Sequence, residues 1–420
     1  MSANIRNIFE TNPDSIDGFL KLHSDRKVDQ WIFSADSEKC RSRLGLTDDC
    51  YSSLAAANLD LCLSFIHPLG YPVFPCKDNS LSSFLFNSLS KHDILKPYGP
   101  SNIRTTTNAS CYLIKNATVI CSNLSIAILD ADGLIVKECS HNAPECLLVW
   151  LKANAIDFKY LEKAVFASVQ QPFNLGHWLI DTLPRIWLAF YADSRLASFA
   201  RESVLLIDTC NHQIIRKTLN RLNIISALPT LPFSTWKVKE LIVPLVSSFH
   251  TRVNIASQLA SQIYYPSNIS SEIPPVKRVF LSRQKQNRRK ITNYEGVSEL
   301  IQKYDFNVLF PEDYDIEYVS SLMYKADIVV GPNGAAMCNN LFHSGICKKI
   351  GVIYPATHID DYYFRVSSDL GHSFYGMTNQ LSDQASSLPE IINSYYYPKV
   401  GKDYHIDIKR LDQFLEAITS

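Results

Sequence analysis

The sequence predicts an α/β protein in which two parallel-sheet blocks follow one another, preceded by an N-terminal region of different character. Three observations carry this expectation. Strand-length apolar runs alternate with helix-length amphipathic segments from about residue 164 onward, the alternation restarts after Pro274-Pro275, and the composition is that of a globular chain. The 420 residues suffice for two or three domains and a large core. Hydrophobic residues make up 46% and aromatics 11%, which excludes a disordered, charge-rich polymer. The 41 basic and 41 acidic residues balance, which excludes a globally basic nucleic-acid coat and an acidic tail.

Residues 1–105 read as a mostly helical N-terminal region, on the spacing in Ile16-Asp17-Gly18-Phe19-Leu20-Lys21-Leu22, followed by a proline-broken stretch. This region carries no motif with identifiable chemistry. Met1 to Asp17 lacks the apolar core of a signal peptide. The apolar stretch Leu61 to Cys76 contains Pro68, Pro72 and Pro75 and falls short of the ~20 residues of a spanning helix. A cytoplasmic protein is the expectation. The eleven cysteines are odd in number, scattered, and without C-x-x-C spacing, so they read as small buried hydrophobes. Sequons at Asn108, Asn116, Asn123 and Asn268 would matter only in a secreted chain.

The first block is expected over 106–270. It opens with a β-hairpin signal, in which Asp130-Ala131-Asp132-Gly133 separates Ile126–Leu129 from Leu134–Val136. Then come a strand at Val204–Ile207, a helix from Gln213 to Leu222 and a strand at Leu241–Val243. Over 271–380 the second block offers strands at Arg278–Leu281, Asn307–Phe310, Ile328–Val330 and Lys349–Ile353. Helices at Tyr294–Tyr304 and Ile316–Lys325 join them as in a doubly wound sheet. A helical segment over 381–420 ends the chain. Tyr265 to Pro275 is the natural hinge, and a cleft between the blocks is the default site.

Three constellations have the residue types for chemistry. In Asn174-Leu-Gly-His177-Trp-Leu-Ile-Asp181-Thr-Leu-Pro-Arg185, Asn174 can cap a helix that Pro184 would kink or end. His177 and Asp181, four apart, differ by only about 40° around the helix axis. Either can serve as general base with the other orienting it, or the two form a solvated helix pair beside a core Trp178. The second constellation, Lys277 to Lys290, holds seven cations and no anion, including Arg283, Arg288 and Arg289 just beyond a strand. Forked guanidinium donors there suit a diphosphate, whereas the bland reading is a hydrated basic loop. RNA binding is disfavoured because no aromatic platform interleaves the charges. The third, Gly331-Pro332-Asn333-Gly334-Ala335-Ala336, lies between a strand and a helix-sized segment. There small residues let backbone approach a ligand and helix N–H groups face an anion, or serve only tight packing.

In this order the three segments resemble glycosyltransferase family 61. The resemblance lies in Asn174-x-Gly-His177-Trp-Leu-x-Asp181-x-Leu-Pro-Arg185, then Leu281-Ser-Arg283 with Arg288-Arg289 and Asn293, then Pro311-Glu312. It ends in Gly331-x-x-Gly334-Ala335 with Asn339, Leu341 and Phe342, and spans about residues 110 to 380. Two departures stand out. The family's usual His-Gly-Ala-Gly reads Asn333-Gly334-Ala335-Ala336, so an amide that binds but does not titrate replaces an imidazole. Tyr294 follows Asn293 where an acidic residue is common.

The resemblance implies GT-B architecture, two Rossmann-like domains facing across a cleft, and an inverting, metal-independent transfer that needs no cofactor. The donor implied is a nucleoside-diphosphate sugar, in expectation a uridine diphosphate sugar. Arg283, Arg288, Arg289, Asn333, Gly334, Ala335 and Asn339 would bind it. His177 or Asp181 would take the acceptor's proton, with Asn174, Trp178 and Arg185 on the acceptor side. The implied acceptor is a glycan or lipid-linked sugar of surface or capsular polysaccharide, met at the inner face of the membrane. A catalytically inactive sugar-nucleotide or glycan-binding subunit of a polysaccharide assembly complex is the alternative, and a general phosphosugar-modifying enzyme a third.

Overall fold

Two β-sheets organise the chain, one in each of two units. The computed structural model describes residues 29–33, 109–141, 146, 158–264, 276–378 and 403–420, less positions 123–124, 134, 137–138, 170–173, 192–193, 247–248, 343–346 and 356–361. From Thr106 onward the first unit runs to Ile255 and the second takes Ala256–Ser420. The division falls inside the helix Phe249–Tyr264, whereas the hinge segment Tyr265–Pro275 lies outside the described residues. Of the N-terminal region only the strand Asp29–Phe33 is described, so the expectation of mostly helical structure there also lies outside them.

The first unit holds a seven-stranded mixed sheet. Its strands are β1 (Asp29–Phe33), β2 (Ala109–Ser122), β3 (Ser125–Leu129), β4 (Lys159–Phe166), β5 (Val204–Ile207), β6 (Ala227–Pro229) and β7 (Ser234–Val246). Their order is β1-β2-β7-β4-β5-β6, with β3 also on β2. Strands β7, β4, β5 and β6 run parallel, while β2 is antiparallel to β1, β3 and β7. The hairpin expected about Asp130–Gly133 is a tight turn. Gly133 N–H donates to the Asp130 carbonyl at 3.0 Å, Asp132 N–H to Asp130 Oδ1 at 2.9 Å, and Gly133 takes φ 82°. The returning chain makes only two isolated bridges to β3, Leu129 to Ile135 and Ile126 to His141, and the long partner of β3 is β2.

Helices α1 (Leu183–Tyr191), α2 (Ser194–Arg201) and α3 (Gln213–Arg221) cross between the parallel strands. A π-helical turn, His177–Thr182, leads into α1. Pro184 does not end the helix: it comes just after the π-helical turn, a change of register of the kind found where a proline enters a helix. Val119, Ile128, Phe166, Leu206, Trp236 and Leu241 lie at the centre of this unit's core.

The second unit begins in α4 (Phe249–Tyr264) and carries a five-stranded, wholly parallel sheet. It consists of β8 (Arg278–Leu281), β9 (Asn307–Leu309), β10 (Ile328–Pro332), β11 (Lys349–Tyr354) and β12 (Ser373–Thr378). The order is β12-β11-β10-β8-β9. The chain thus winds to one side of β8 and then to the other, which makes the β8/β10 junction the switch point where doubly wound sheets bind ligands. Helices α5 (Tyr294–Lys303), α6 (Ile316–Lys325), α7 (Tyr362–Asp369) and α8 (Ile408–Thr419) accompany it. Strand β12 is a fifth strand beyond the four expected.

Helix α8 starts where the Asp407 carboxylate accepts the Arg410 N–H at 3.1 Å, and its spacing of Leu411, Phe414, Leu415 and Ile418 builds one apolar face. That face joins Phe280, Val297, Val330 and Ile353 in the second core. Among the described residues seven cysteines are free, five of them buried, as small hydrophobes would be. Among the same residues no helix is long and apolar enough to cross a membrane.

Gly351 in β11 lets α8 sit against the sheet. A Cβ there would lie 2.9 Å from Ile418 Cδ1, Phe414 Cζ and Val330 Cγ2. Gly351→Ala is therefore expected to destabilise the protein by about 1–3 kcal/mol through overpacking, read as a lowered midpoint in urea. An unchanged midpoint would contradict this packing.

Candidate functional site

In the first unit, the carboxyl ends of the parallel strands gather polar side chains. Ser168 lies just after β4, Asp208 after β5 and Thr230 after β6. The Ser168 hydroxyl donates to Asp208 Oδ1 and lies 2.9 Å from Thr230 Oγ1, and the same carboxylate oxygen accepts the Val169 N–H at 3.0 Å. Arg185 donates to the Ser168 carbonyl at 3.2 Å, which ties α1 to this edge.

Next to that network stands the pair expected from sequence. His177 Nδ1 is 2.7 Å from Asp181 Oδ2, and Arg252 of α4 donates to the other oxygen, Oδ1. The Asp181 side chain is only 13% exposed and that of His177 39%, so this is not a solvated surface pair. Burial works against ionising Asp181. The His177 hydrogen bond and the positive charges of Arg252, His177 and Arg185 outweigh it and hold the carboxyl below its usual range. An ionised carboxylate only accepts hydrogen bonds, so the Nδ1 that faces Asp181 is the donor of the pair, and Nε2 is the ring nitrogen left to exchange a proton.

The π-helical turn sorts the other residues of the motif. It turns Trp178, Leu179, Ile180 and Thr182 inward. Trp178, expected on the acceptor side, is buried in the first unit, 4% exposed, because its indole fills core space. Asn174 uses its side-chain oxygen locally, accepting the Gly176 N–H at 2.9 Å as a cap.

The seven cations of 277–290 also sort by environment. Arg278 donates to the Tyr304 carbonyl at 2.7 Å, and Lys285 pairs with Asp313. Gln286 holds Glu312 at 3.0 Å from the same loop. Arg288 is exposed, whereas Arg283 is buried at 8% exposure. No carboxylate pairs with Arg283 among the described residues. Its Nε is buried without a hydrogen-bond partner. Burial, and then the like charge of Arg289, depress its affinity for the proton. Arg289 itself takes φ 58°, a left-handed conformation that non-glycine residues rarely hold without a reason.

Arg283 follows β8, and Asn333-Gly334 follows β10, so both stand at the switch point of the second sheet. A Cβ on Gly334 would fall 1.9 Å from Arg283 Nη1. The missing Cβ thus leaves room for the guanidinium packed on this glycine. The segment that follows is a seven-residue 3-10 helix, Ala335–Leu341, rather than an α-helix whose N–H groups could face an anion. Asn333 is buried and its N–H donates to the Ile353 carbonyl at 2.9 Å. Asn339, expected at the donor, is also buried and donates to the Ala336 carbonyl at 2.8 Å, closing its own helical turn.

Sequence reasoning missed Asp208, Arg252 and Tyr404. Asp208 had a signal, being the first polar residue after the apolar run Val204–Ile207. Arg252 stands 71 residues from Asp181 and had none. Tyr404 reaches the Arg283–Arg289 loop from the chain's C-terminal segment, which pairs with it at Ile291.

Polar clusters at strand ends serve many reactions, and here comparison supplies the class, a glycosyltransferase. Residues 175–353 match the model of the family Glycosyltransferase 61, the family that the ordered motifs resemble. The matched span contains His177, Asp181, Arg185, Arg283, Arg289 and the 333–339 turn. No curated protein matches the chain in sequence.

Asp181→Asn tests the charge logic of the first cluster. With its folded value held down, the Asp181 carboxylate contributes stability that is complete above the ordinary carboxylate range and lost as pH falls through the lowered value. At pH 7 the variant is expected to lose up to about 3 kcal/mol in urea unfolding, with the gap to the native chain closing below pH ~3.9. A gap constant with pH would refute the assignment.

Proposed function

We propose that the chain transfers a sugar from a nucleoside-diphosphate donor, a uridine diphosphate sugar in expectation, to an acceptor hydroxyl with inversion and without a metal. The two units would be the Rossmann-like halves of a GT-B enzyme, the second holding the donor and the first the acceptor. One observation carries this reading above the rest. Within a span that matches a glycosyltransferase family, Arg283 is buried at the switch point of a doubly wound sheet, and among the described residues no carboxylate neutralises it. Burying an unpaired guanidinium is unfavourable unless an anion completes it, and a diphosphate fits its forked donors.

The chemistry then divides between the halves. His177 Nε2 takes the proton of the acceptor hydroxyl as its oxygen attacks the anomeric carbon. Asp181, held by Arg252, keeps the imidazole in the required tautomer and stabilises the imidazolium that forms. The bond to the diphosphate oxygen breaks on the opposite face, and Arg283 and Arg289 meet the charge that collects there. The structure favours His177 over Asp181 as base because both carboxylate oxygens are engaged and Asp181 is a weakened proton acceptor. In this reading Asn333 binds rather than moves a proton, since an amide does not titrate. A glycan or lipid-linked acceptor in surface or capsular polysaccharide synthesis, met in the cytoplasm at the membrane's inner face, rests on the family likeness alone.

Nucleotide release from a panel of nucleoside-diphosphate sugars tests the reading. His177→Ala and Arg283→Ala are each expected to cut turnover at least ~10²-fold. Gly334→Ala, by displacing the Arg283 guanidinium, is expected to raise the donor KM about tenfold with less effect on kcat. A native chain that binds donor yet releases no nucleotide with any acceptor would instead be a binding subunit.

A further inference from the structure

The C-terminal segment folds back onto the basic loop. Tyr404 N–H donates to the Lys290 carbonyl at 3.0 Å, and the Tyr404 carbonyl accepts the Thr292 N–H at 2.9 Å. Asp403 Oδ1 accepts the Lys290 N–H at 2.8 Å. Asn293 clamps Ile406 from both sides, Nδ2 to its carbonyl at 2.8 Å and Oδ1 from its N–H at 2.9 Å. These bonds fix Tyr404 on the loop that carries Arg283 and Arg289, and both guanidinium charges act on its hydroxyl. The ring packs on the second core, and the hydroxyl oxygen is buried with no hydrogen-bond partner among the described residues. A buried phenol left unpaired is unfavourable.

Both guanidinium neighbours are pure donors, so what the hydroxyl proton lacks is an acceptor, and Arg283 Nε, at the start of the same loop, lacks one too. An anion with several oxygens satisfies both. We infer that Tyr404, on a segment outside the family-matched span 175–353, donates a hydrogen bond to the donor diphosphate and completes the pocket begun by Arg283 and Arg289. This rests on the donor reading above. Burial raises the phenol's proton affinity more than the two arginines lower it, so the hydroxyl stays protonated and can donate at neutral pH.

Tyr404→Phe in the full chain isolates the hydroxyl, because the ring and its packing remain. Calorimetric titration with uridine diphosphate, and separately with inorganic pyrophosphate, reads the affinity, and thermal unfolding of the unliganded protein reads stability. The expected result is an affinity at least about tenfold weaker with Tm unchanged or raised, since the variant removes an unpaired buried group. Equal affinity in native chain and variant would overturn the role of Tyr404 while leaving the donor reading intact. A native chain that binds neither probe would overturn both. A Tm lowered in the variant at unchanged affinity would make the hydroxyl structural and also overturn the inference.

Discussion

A guanidinium buried with no carboxylate partner among the described residues is the constraint around which the second unit is arranged. Arg283 emerges from β8 into the switch point, rests against a glycine that has no Cβ to obstruct it, and faces another arginine. In water such a cation keeps its hydration, whereas inside a protein its desolvation costs several kcal/mol. Lys285 of the same loop is paired with Asp313, and Arg278 on β8 donates to a carbonyl. Among the described residues Arg283 has no such carboxylate. The sequence around it spends Gly334, a left-handed Arg289 and a returning C-terminal segment on keeping that charge in place. Stability alone would favour an apolar residue, and this cost is what supports the proposed anion site.

The first unit solves the opposite problem. There the buried charge is negative, and Asp181 is matched from two directions, by the imidazole of its own helical turn and by Arg252 from a distant helix. The π-helical turn is what makes this possible. Its wider register presents His177 and Asp181 together while Trp178, Leu179 and Ile180 are carried inward, so packing and the polar pair do not compete for one face. The supporting network of Ser168, Asp208 and Thr230 draws one residue from the end of each of three parallel strands. Such convergence is a property of parallel sheets, whose strands all end at the same edge.

Much of this was legible in the sequence, and the failures have physical reasons. The spans expected for β5, β8 and α6 match the structure residue for residue, because each is a short apolar or amphipathic run with a clear stop. Only Leu241–Val243 was legible of the thirteen-residue β7, since Lys237 and Lys239 break its apolar pattern on one face and Glu240 breaks it on the other. Strand β12 was not seen because Ser373, Gly376 and Thr378 dilute its hydrophobicity. The His177–Asp181 pair could be read from i, i+4 spacing, and Arg283 from its place after a strand. Arg252 and Tyr404 could not, since neither lies in a local pattern and each acquires its role only when distant chain segments meet.

Helix α8 supplies Leu411, Phe414, Leu415 and Ile418 to the core beneath the second sheet, although β8, the strand at that sheet's centre, is made far earlier. During synthesis the parallel strands must therefore wait with an uncovered apolar face until residue 418 has cleared the ribosome tunnel. The first unit, complete by Ile255, has no such delay. The half that carries the basic loop is thus the late-maturing one, and the stretch of translation between β12 and α8 is when the nascent chain most needs a chaperone's shelter.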